Sequence, residues 1–327
     1  AATAVGNLRC PICWSTLTTA SAEFQCESQS CRETFPVVNG VPILLNEKNS
    51  VFSTAELVAE QERSLGNPDS DRRRTIEQRI WRLLPSINRN LTGSQNYAKF
   101  AALINQGTRE SAKQMVLVIG AGPETGEGME AFLGASEIEL IETDVVLGPK
   151  TAVVCDAHDI PFSDQSFDGV IVQAVLEHVV DPYRCVQEIY RVLKPNGLVY
   201  AETPFMQQVH MGPYDFTRFT HLGHRRLFRN FAEVESGIAC GPGMGLAWAY
   251  QYFLISLTRS RAIRGIFKVF AALTSFFLKY FDRYAAKNSA AYDAASGFYF
   301  IGRKSTAILS DRELISSYRG AVWSGRR

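Results

Sequence analysis

The sequence predicts an α/β protein in which a small cysteine-rich unit precedes a main domain built on a largely parallel sheet. Three observations support this fold class. Apolar runs such as residues 115–119 alternate with stretches of helical length, which is the order of strands and helices in a parallel sheet. The first apolar run ends in a glycine-rich turn at Gly120 and Gly122. Four of the seven cysteines lie close together near the N-terminus.

The composition excludes a disordered chain. With 46% hydrophobic and 20% charged residues, the 327 residues can bury a core, and the length allows about two domains. A net charge of +1 does not provide the positive field of a typical nucleic-acid binder. We therefore expect nucleic acid to be a disfavoured partner.

The chain begins without a basic segment followed by an apolar run, so we expect no secretory signal and a cytoplasmic location. The most apolar stretch, residues 262–281, contains Arg264, Lys268 and Lys279. It therefore lacks the roughly 18 uninterrupted apolar residues of a transmembrane helix.

The clustered cysteines form two pairs, Cys10 with Cys13 and Cys26 with Cys31. Two such knuckles can deliver four thiolates to a tetrahedral zinc ion. Two disulfides are one alternative, but the expected compartment is reducing. A redox role for the first pair is another, although no thioredoxin-like pattern surrounds it. We predict a structural zinc site.

Residues 35–45 are typical of two strands joined by an Asn39-Gly40 turn. Zinc and hairpin together predict a first domain, residues 1–50, that is too small to be stable on its core alone. Over about residues 8–45 this unit resembles the small zinc-ribbon proteins that activate tRNA and protein methyltransferases. It also resembles the N-terminal ribbon of certain rRNA guanine methyltransferases.

Residues 51–112 are predicted to form a helical linker and N-terminal helices. The polar segment 53–82 contains the charged run 71–74, which we interpret as a solvated face, with a phosphate-binding patch as the alternative. Apolar residues at helical spacing predict a further helix that packs on the main domain. They are Tyr97, Phe100, Ala101 and Ile104.

The main domain, residues 113–305, starts with the strand 115–119 and its glycine turn, where the backbone can approach a ligand closely. A second strand, residues 138–141, leads to Asp144, which lies 24 residues after Gly120. A carboxylate at this position binds ribose hydroxyls in both dinucleotide and S-adenosylmethionine (SAM) folds. These residues alone leave both cofactors open.

Four later segments separate the two cofactors. They are residues 153–162, 167–172, 176–179 and 191–197. Their order and spacing resemble the class I SAM-dependent methyltransferases, in particular the type 11-like branch that includes quinone and sugar methyltransferases. The resemblance covers about residues 96–303. It implies a Rossmann-like seven-stranded sheet with an antiparallel edge hairpin, here residues 232–240 and 297–303.

The resemblance also implies cofactor contacts. Asp144 would bind the ribose of SAM, and Asp156 would take the adenine amino group. The other implied contacts are Gly120, Gly122 and Gln173 at the methionine end and Ala157 and His158 at the adenine ring.

Residues 203–220 follow the fifth strand, residues 197–202, and are rich in His, Tyr, Asp and Arg. Open parallel sheets bind ligands past the carboxyl ends of their strands, so we predict that this segment holds the acceptor. The predicted acceptor contacts are Phe205, Tyr214 and Arg218. The segment resembles one found in bacterial methyltransferases of surface-polysaccharide pathways, which implies a glycan or glycolipid acceptor.

We predict that His210 is a catalytic base, because a neutral imidazole is available at neutral pH, and that Asp215 orients it or binds the acceptor. A packing role for His210 is the alternative. Glu177-His178 resembles part of the metal-binding set of ubiquinone O-methyltransferases. Ala174 replaces the companion acid of that set, so we do not expect a catalytic magnesium ion.

The insertion 241–296 contains aromatic-rich stretches of helical length, and residues 306–327 are predicted to form a C-terminal tail. We interpret the insertion as a helical cap or a homodimer face. The alternative is an interfacial membrane helix whose basic residues face anionic lipid. Those residues are Arg259, Arg261, Arg264, Lys268 and Lys279.

The leading hypothesis is therefore a SAM-dependent methyltransferase that methylates a hydroxyl of a small molecule or glycan by in-line displacement. One alternative is an RNA or protein methyltransferase that uses the ribbon to hold a macromolecule. Another is a non-catalytic binding protein with this fold.

Overall fold

The protein is represented by a computed structural model, which describes residues 6–20, 23–65, 84–106, 113–122, 128–129, 132 and 137–321. The charged run predicted at residues 71–74 lies outside the described residues.

The N-terminal unit is a four-stranded antiparallel sheet in the order β1-β2-β3-β4. Its strands are β1 Leu17–Ala20, β2 Glu23–Cys26, β3 Thr34–Val38 and β4 Val41–Pro42. Asn39 and Gly40 join the last two strands with φ angles of +53° and +80°. Two positive φ angles are the requirement of a type I′ hairpin turn, so the predicted turn is confirmed.

The main domain is a seven-stranded sheet in the order β10-β11-β9-β8-β5-β6-β7. The strands are β5 Gln114–Ile119, β6 Ile138–Asp144, β7 Val153–Val154, β8 Phe167–Gln173, β9 Leu193–Pro204, β10 Phe231–Cys240 and β11 Gly297–Lys304. Strands β5 to β9 run parallel, and β11 is antiparallel to both β9 and β10. This is the sheet with an antiparallel edge hairpin that the sequence predicted.

The described helices surround this sheet or extend from it. They are α1 Thr54–Leu65, α2 Gly93–Asn105, α3 Pro182–Val192, α4 His221–Leu227, α5 Pro242–Ser256, α6 Arg261–Ser275, α7 Leu278–Ala285 and α8 Asp311–Ser316. The four residues of α2 predicted to pack inward are all buried. The insertion contains α5, α6 and α7, followed by a short 3-10 helix, Ser289–Asp293. The predicted tail contains α8, which starts with a capping box between Ser310 and Glu313.

The ribbon is fixed to the edge of the main sheet. Its Leu8, Phe24 and Leu44 belong to the same buried cluster as Phe162 of the main domain. The Leu44 N–H donates a 2.8 Å hydrogen bond to the carbonyl oxygen of Val154 on edge strand β7. Backbone pairing and a shared core therefore both hold the residues that follow the ribbon against the main domain.

A cation–π contact adds to this docking. The guanidinium carbon of Arg191, on α3, lies 4.2 Å from the centroid of the Trp14 ring in the first knuckle. Arg191 also donates to the carbonyl oxygens of Ile160 and Phe162, each at 2.7 Å. The knuckle is therefore held by a side chain that is itself fixed by backbone acceptors.

Candidate cofactor and acceptor site

The four clustered cysteines converge. One sulfur from each lies within 4.8 Å of the others, with Cys13 Sγ 3.4 Å from Cys26 Sγ and Cys10 Sγ 3.8 Å from Cys31 Sγ. None of the four forms a disulfide. Zinc–sulfur bonds of about 2.3 Å in a tetrahedron separate neighbouring sulfurs by about 3.8 Å. The donor set and its spacing fit a structural zinc ion, as predicted.

A cavity of about 440 Å³ lies at the carboxyl ends of the parallel strands. Its walls include Gly120 after β5, Asp144 at the end of β6, Asp156 after β7 and Ala174 after β8. Strand β5 pairs with β6 on one side and with β8 on the other. The order in which successive strands are added to the sheet therefore reverses next to β5. Open parallel sheets bind ligands at this point.

The backbone conformation and the close neighbours of residue 120 both require a glycine at this position. Its φ is +70°, and a Cβ atom there would lie 2.3 Å from Val175 Cγ2. The next glycine, Gly122, also has a positive φ, and its N–H donates a 2.9 Å hydrogen bond to Asp144 Oδ2. The Val146 N–H donates to Oδ1 of the same carboxylate at 3.1 Å. Asp144 is therefore held at the cavity wall by backbone donors, and its oxygens retain lone pairs for a ligand.

Asp156 is buried and lines the same cavity. Its Oδ1 accepts from the backbone N–H of His158 at 3.0 Å and lies 2.6 Å from His158 Nδ1, while Ser50 Oγ donates to Oδ2 at 2.6 Å. Burial opposes ionisation, but these hydrogen bonds outweigh it and lower the pKa of Asp156. The carboxylate is thus ionised and fixed.

The ring nitrogens of His158 are both engaged. The Asp181 N–H donates to His158 Nε2 at 3.0 Å, so the ring proton resides on Nδ1 and is donated to Asp156. His158 can therefore offer a ligand its ring surface or its backbone.

A short segment across the boundary predicted between the ribbon, residues 1–50, and the helical linker, residues 51–112, forms one wall of the cavity. We call residues 46–53 the ribbon linker. Val51, Phe52 and Ser53 line the cavity, and the Phe52 ring stacks on Tyr214 with centroids 5.4 Å apart. The linker has no helical or strand periodicity that could have revealed this role. The signal was only its position, directly after a hairpin that packs on the sheet edge.

A smaller cavity of about 90 Å³ adjoins the first at Gly120. Gln173 lines it and accepts a 2.6 Å hydrogen bond from the Tyr97 hydroxyl. Gln173 Nε2 donates in turn to Glu202 Oε2 at 2.8 Å, and Asn90 Nδ2 donates to the same oxygen at 2.9 Å. Tyr97, Asn90 and Glu202 were not predicted as site residues, because four separate segments must meet to form this network.

Residues 203–220, which we call the acceptor loop after the role predicted for them, are held together by an ion pair. The Asp215 side chain is 1% exposed and accepts from the Arg218 guanidinium through both oxygens. It also accepts from the His210 N–H at 2.9 Å, while Arg218 donates to the carbonyl oxygens of Gln207 and Gln208. Burial opposes ionisation, but the Arg218 hydrogen bonds hold the pKa of Asp215 well below its usual range.

Three side chains meet beside the large cavity: Glu177, His178 and His210. The two imidazole rings are perpendicular with centroids 4.8 Å apart, and His178 Nε2 lies 3.6 Å from Glu177 Oε1. The Glu177 side chain is 1% exposed, and neither carboxylate oxygen has a hydrogen-bond partner among the described residues. Burial raises the pKa of Glu177 to about 8, so the group holds a proton at neutral pH.

One ligand atom from each of these three side chains lies within 4.8 Å of the others. Magnesium takes oxygen ligands, whereas this trio offers one carboxylate and two imidazoles. The donor set therefore does not fit magnesium. The trio places a buried, protonated carboxyl group beside two imidazole rings.

Residues 133–201 match a family model described as a methyltransferase domain. They include strands β6, β7 and β8, most of β9 and the cavity residues Asp144 and Asp156. Residues 133–201 therefore belong to a methyltransferase domain.

Curated relatives resemble this methyltransferase domain over part of their length. One is the ubiquinone/menaquinone biosynthesis C-methyltransferase of Haemophilus ducreyi, 30% identical over 95 residues, which are 28% of this chain and 36% of the relative. Another is the chloroplastic 2-phytyl-1,4-beta-naphthoquinone methyltransferase of Arabidopsis thaliana, 29% identical over 147 residues, 40% of this chain and 56% of the relative. The chain thus spans about a third to a half of the length of these relatives.

Solved structures show weaker similarity. The Haemonchus contortus phosphoethanolamine N-methyltransferase 2 in complex with S-adenosyl-L-methionine is 17% identical with a TM-score of 0.35, covering 64% of this chain and 52% of that one. A chain from a complex of the Haloferax volcanii Trm112 methyltransferase activator with a methyltransferase is 18% identical with a TM-score of 0.38. The match covers 67% of this chain and 99% of that one.

The predicted cofactor, acceptor and catalytic residues divide into those that line a cavity and those that do not. Gly120, Asp144, Asp156, Ala157, His158 and Tyr214 line the large cavity, and Gln173 and Gly120 line the small one. Those not among the described residues that line either cavity are Gly122, Phe205, His210, Asp215 and Arg218. Phe205 stacks on Phe298, and Arg218 is occupied by Asp215 and backbone carbonyls, so both are turned toward the protein itself.

Proposed function

We propose that the protein is a SAM-dependent methyltransferase that transfers a methyl group to a hydroxyl oxygen of a small-molecule or glycan-type acceptor. The observation that carries the proposal is the large cavity, where Gly120, Asp144 and Asp156 stand beside a histidine pair. The curated relatives include quinone C-methyltransferases, so oxygen as the methylated atom rests on the local chemistry of this chain.

The residues present fit SAM. Gly120 allows the backbone to approach the ligand, and Asp144 is held so that its oxygens can accept from two ribose hydroxyls. Asp156, fixed by His158 and Ser50, would accept from the adenine amino group. Gln173 and Tyr97 would bind the methionine end in the smaller cavity.

SAM, when bound, supplies a methyl group on a positively charged sulfur. The sulfur is the leaving group when the acceptor oxygen attacks the methyl carbon in line. Most of the rate enhancement can then come from alignment of the two reactants. His210 would remove the acceptor proton, and Asp215 and Arg218 would hold the His210 backbone in place. His178 donates from Nδ1 to the Tyr214 carbonyl oxygen at 2.7 Å, which leaves its Nε2 facing Glu177.

The ribbon would act by positioning. Zinc would hold the two knuckles, and the ribbon linker would then bring Ser50 to Asp156 and Phe52 to Tyr214. The ribbon is therefore proposed as a structural part of the cofactor site.

An RNA substrate is a weaker candidate. A basic surface would need the arginines of the α4 region, but Arg225 is buried with its Nε 3.1 Å from Glu233 Oε2. Arg229 donates to the Leu309 carbonyl oxygen at 2.7 Å, and Arg226 lies over a tyrosine ring. Phosphate binding requires cations that face solvent. Arg226 does so, but Arg225 is buried and Arg229 binds a backbone carbonyl, so the three do not form a continuous basic surface that would favour RNA.

The test is methyl transfer from labelled SAM to nucleotide sugars, lipid-linked glycans and tRNA or rRNA, with Asp144→Ala as the control. We expect label on a hydroxyl of a sugar or lipid-linked glycan and none with the control. Label found only on RNA, or on carbon, would overturn the proposed acceptor. A protein that binds SAM but transfers no label to any acceptor would favour the non-catalytic alternative.

A further inference from the structure

Helices α5, α6 and α7 each present large apolar side chains to solvent. On α6 the exposed residues recur every three or four positions, which places them on one side of the helix. They are Ile263, Ile266, Phe270 and Leu273. The same spacing continues at α7, where Tyr280, Phe281 and Tyr284 are exposed. Phe277, which directly precedes the helix, is exposed as well. On α5 the exposed residues are Leu246 and Phe253, followed by Leu257.

These residues form a surface because the helices pack together. Helix α5 contacts both α6 and α7, and Gly243 of α5 donates its N–H to Asp282 of α7 at 2.6 Å. We call α5, α6 and α7 with their exposed apolar residues the helical face. Soluble proteins rarely leave so many large apolar side chains exposed in one region unless something covers them.

The charge of this region indicates what covers it. Residues 242–285, which span α5 to α7, contain six Lys or Arg and one acid, Asp282, which is fully buried. On α6, Arg261, Arg264 and Lys268 follow the spacing of the side opposite the apolar stripe. Apolar residues on one side and cations on the other are typical of helices that lie in the plane of an anionic membrane surface.

A symmetric dimer accounts for the apolar stripe alone. The exposed residues of helices α5 to α7 in a second copy include no acid that could pair with the cations of α6, whereas anionic headgroups supply such partners. None of the helices in the described residues is long and apolar enough to cross a bilayer. We propose that the helical face docks onto a bilayer with anionic headgroups, with its helices lying in the interface.

The docked surface adjoins the acceptor loop. The Tyr252 hydroxyl of α5 donates to the Val209 carbonyl oxygen, and the Trp248 ring lies 6.0 Å from the His210 ring. Val209 and Met211 are 52% and 53% exposed, and Met211 also lines the large cavity. Provided that the proposed methyl transfer is correct, the acceptor is therefore an amphiphile that reaches the cavity from the bilayer.

Flotation of the full chain with vesicles tests the docking. Vesicles of phosphatidylcholine alone are compared with vesicles that also contain phosphatidylglycerol, without SAM. We expect binding to the anionic vesicles and at least about tenfold weaker binding by Ile266→Ser/Phe270→Ser/Leu273→Ser. Ile308→Ser/Ile315→Ser is the matched control, because Ile308 and Ile315 are 63% and 68% exposed outside the helical face. The control should float like the wild type.

A charge pair separates lipid binding from general adhesion. Lys268→Glu should weaken binding to anionic vesicles several-fold, whereas Arg312→Glu, on α8, should not. A wild-type chain that does not float, or a triple variant that floats like the wild type, would overturn the proposal. So would a wild-type dimer that the triple variant converts to monomer without any vesicle binding.

The flotation result is independent of catalysis. If the chain floats but transfers no methyl group, the proposed function fails and the membrane surface stands. If it methylates a water-soluble sugar and never floats, the membrane surface fails and the proposed function stands.

Discussion

Phe52 and Tyr214 stack with ring centroids 5.4 Å apart and ring planes 20° apart. Phe52 belongs to the ribbon linker and Tyr214 to the acceptor loop, and both line the large cavity. The contact therefore joins the N-terminal unit to the segment that we propose holds the acceptor. An aromatic pair of this kind contributes about 0.5–1.5 kcal/mol beyond the area it buries.

Replacing Phe52 by Ala should open the cavity wall and weaken SAM binding. We expect the dissociation constant to rise by up to about tenfold, which corresponds to loss of one aromatic pair. Isothermal titration calorimetry measures this change. Tyr284→Ala, at a residue 78% exposed on α7, is the control and should leave SAM binding unchanged. Unaltered affinity in Phe52→Ala would show that the ribbon linker does not shape the cofactor site.

Loss of zinc should affect the cofactor site as well as the ribbon. We expect one zinc per chain by elemental analysis, and we expect Cys26→Ser to lose it because one of four thiolates is missing. Ser50 and Phe52 follow the ribbon directly, so SAM affinity should fall in the same variant. Cys240→Ser, outside the cysteine cluster, is the control. Full zinc content, or wild-type SAM affinity without zinc, would contradict this coupling.

Glu177 should make the fold less stable as pH rises. Its pKa is raised to about 8 by burial, so between its ordinary value of 4.5 and about 8 the folded chain holds a proton that the unfolded chain has lost. The free energy of unfolding therefore decreases with pH across this window, by a few kcal/mol at most. Glu177→Gln removes the titrating group and should flatten the decrease. Urea titrations at pH 5, 6.5 and 8 measure it, and parallel curves for both proteins would contradict the raised pKa.

His210→Ala should lower kcat for a hydroxyl acceptor by about a hundredfold or more, which is the usual contribution of a general base. SAM affinity should stay the same, because His210 does not line the large cavity. Asp215→Asn should change both kcat and KM, since Asp215 holds the loop through Arg218 and the His210 N–H. Steady-state kinetics with the acceptor found in the labelling screen distinguishes the two roles. An unchanged kcat in His210→Ala would show that His210 is not a catalytic base and would favour the packing role.

Much of the fold could be predicted because the pattern of each element is local. The strand expected at residues 115–119 extends from Gln114 to Ile119, and the edge strands predicted at 232–240 and 297–303 agree with β10 and β11 within one residue. Buried strands are continuous apolar runs, and their neighbours in the sheet follow from connection rules. The cysteine knuckles were equally readable, because their ligands lie close in sequence.

The remaining parts of the site depend on distant contacts. Nothing in the sequence around Ser50 indicates that its hydroxyl reaches Asp156, 106 residues away. Likewise, Glu202 was read as the end of a strand, yet it receives hydrogen bonds from Asn90 and Gln173. Arg218 was expected at the acceptor, but an aspartate three residues earlier occupies it. A residue's type shows that its side chain can bind a ligand. It does not show whether a neighbouring side chain already takes up its hydrogen bonds in the folded chain.

Calorimetric titration of SAM into the purified chain and into Asp144→Ala tests the cofactor site directly. We expect one SAM per wild-type chain with a dissociation constant in the micromolar range. Binding by the variant should be at least about tenfold weaker, since the carboxylate proposed to accept from the ribose is gone. Asp164 has a side chain that is 71% exposed and does not line the cavity, so Asp164→Ala should bind like the wild type. No binding of SAM by the wild type, or equal affinities for all three proteins, would show that this cavity is not a SAM site.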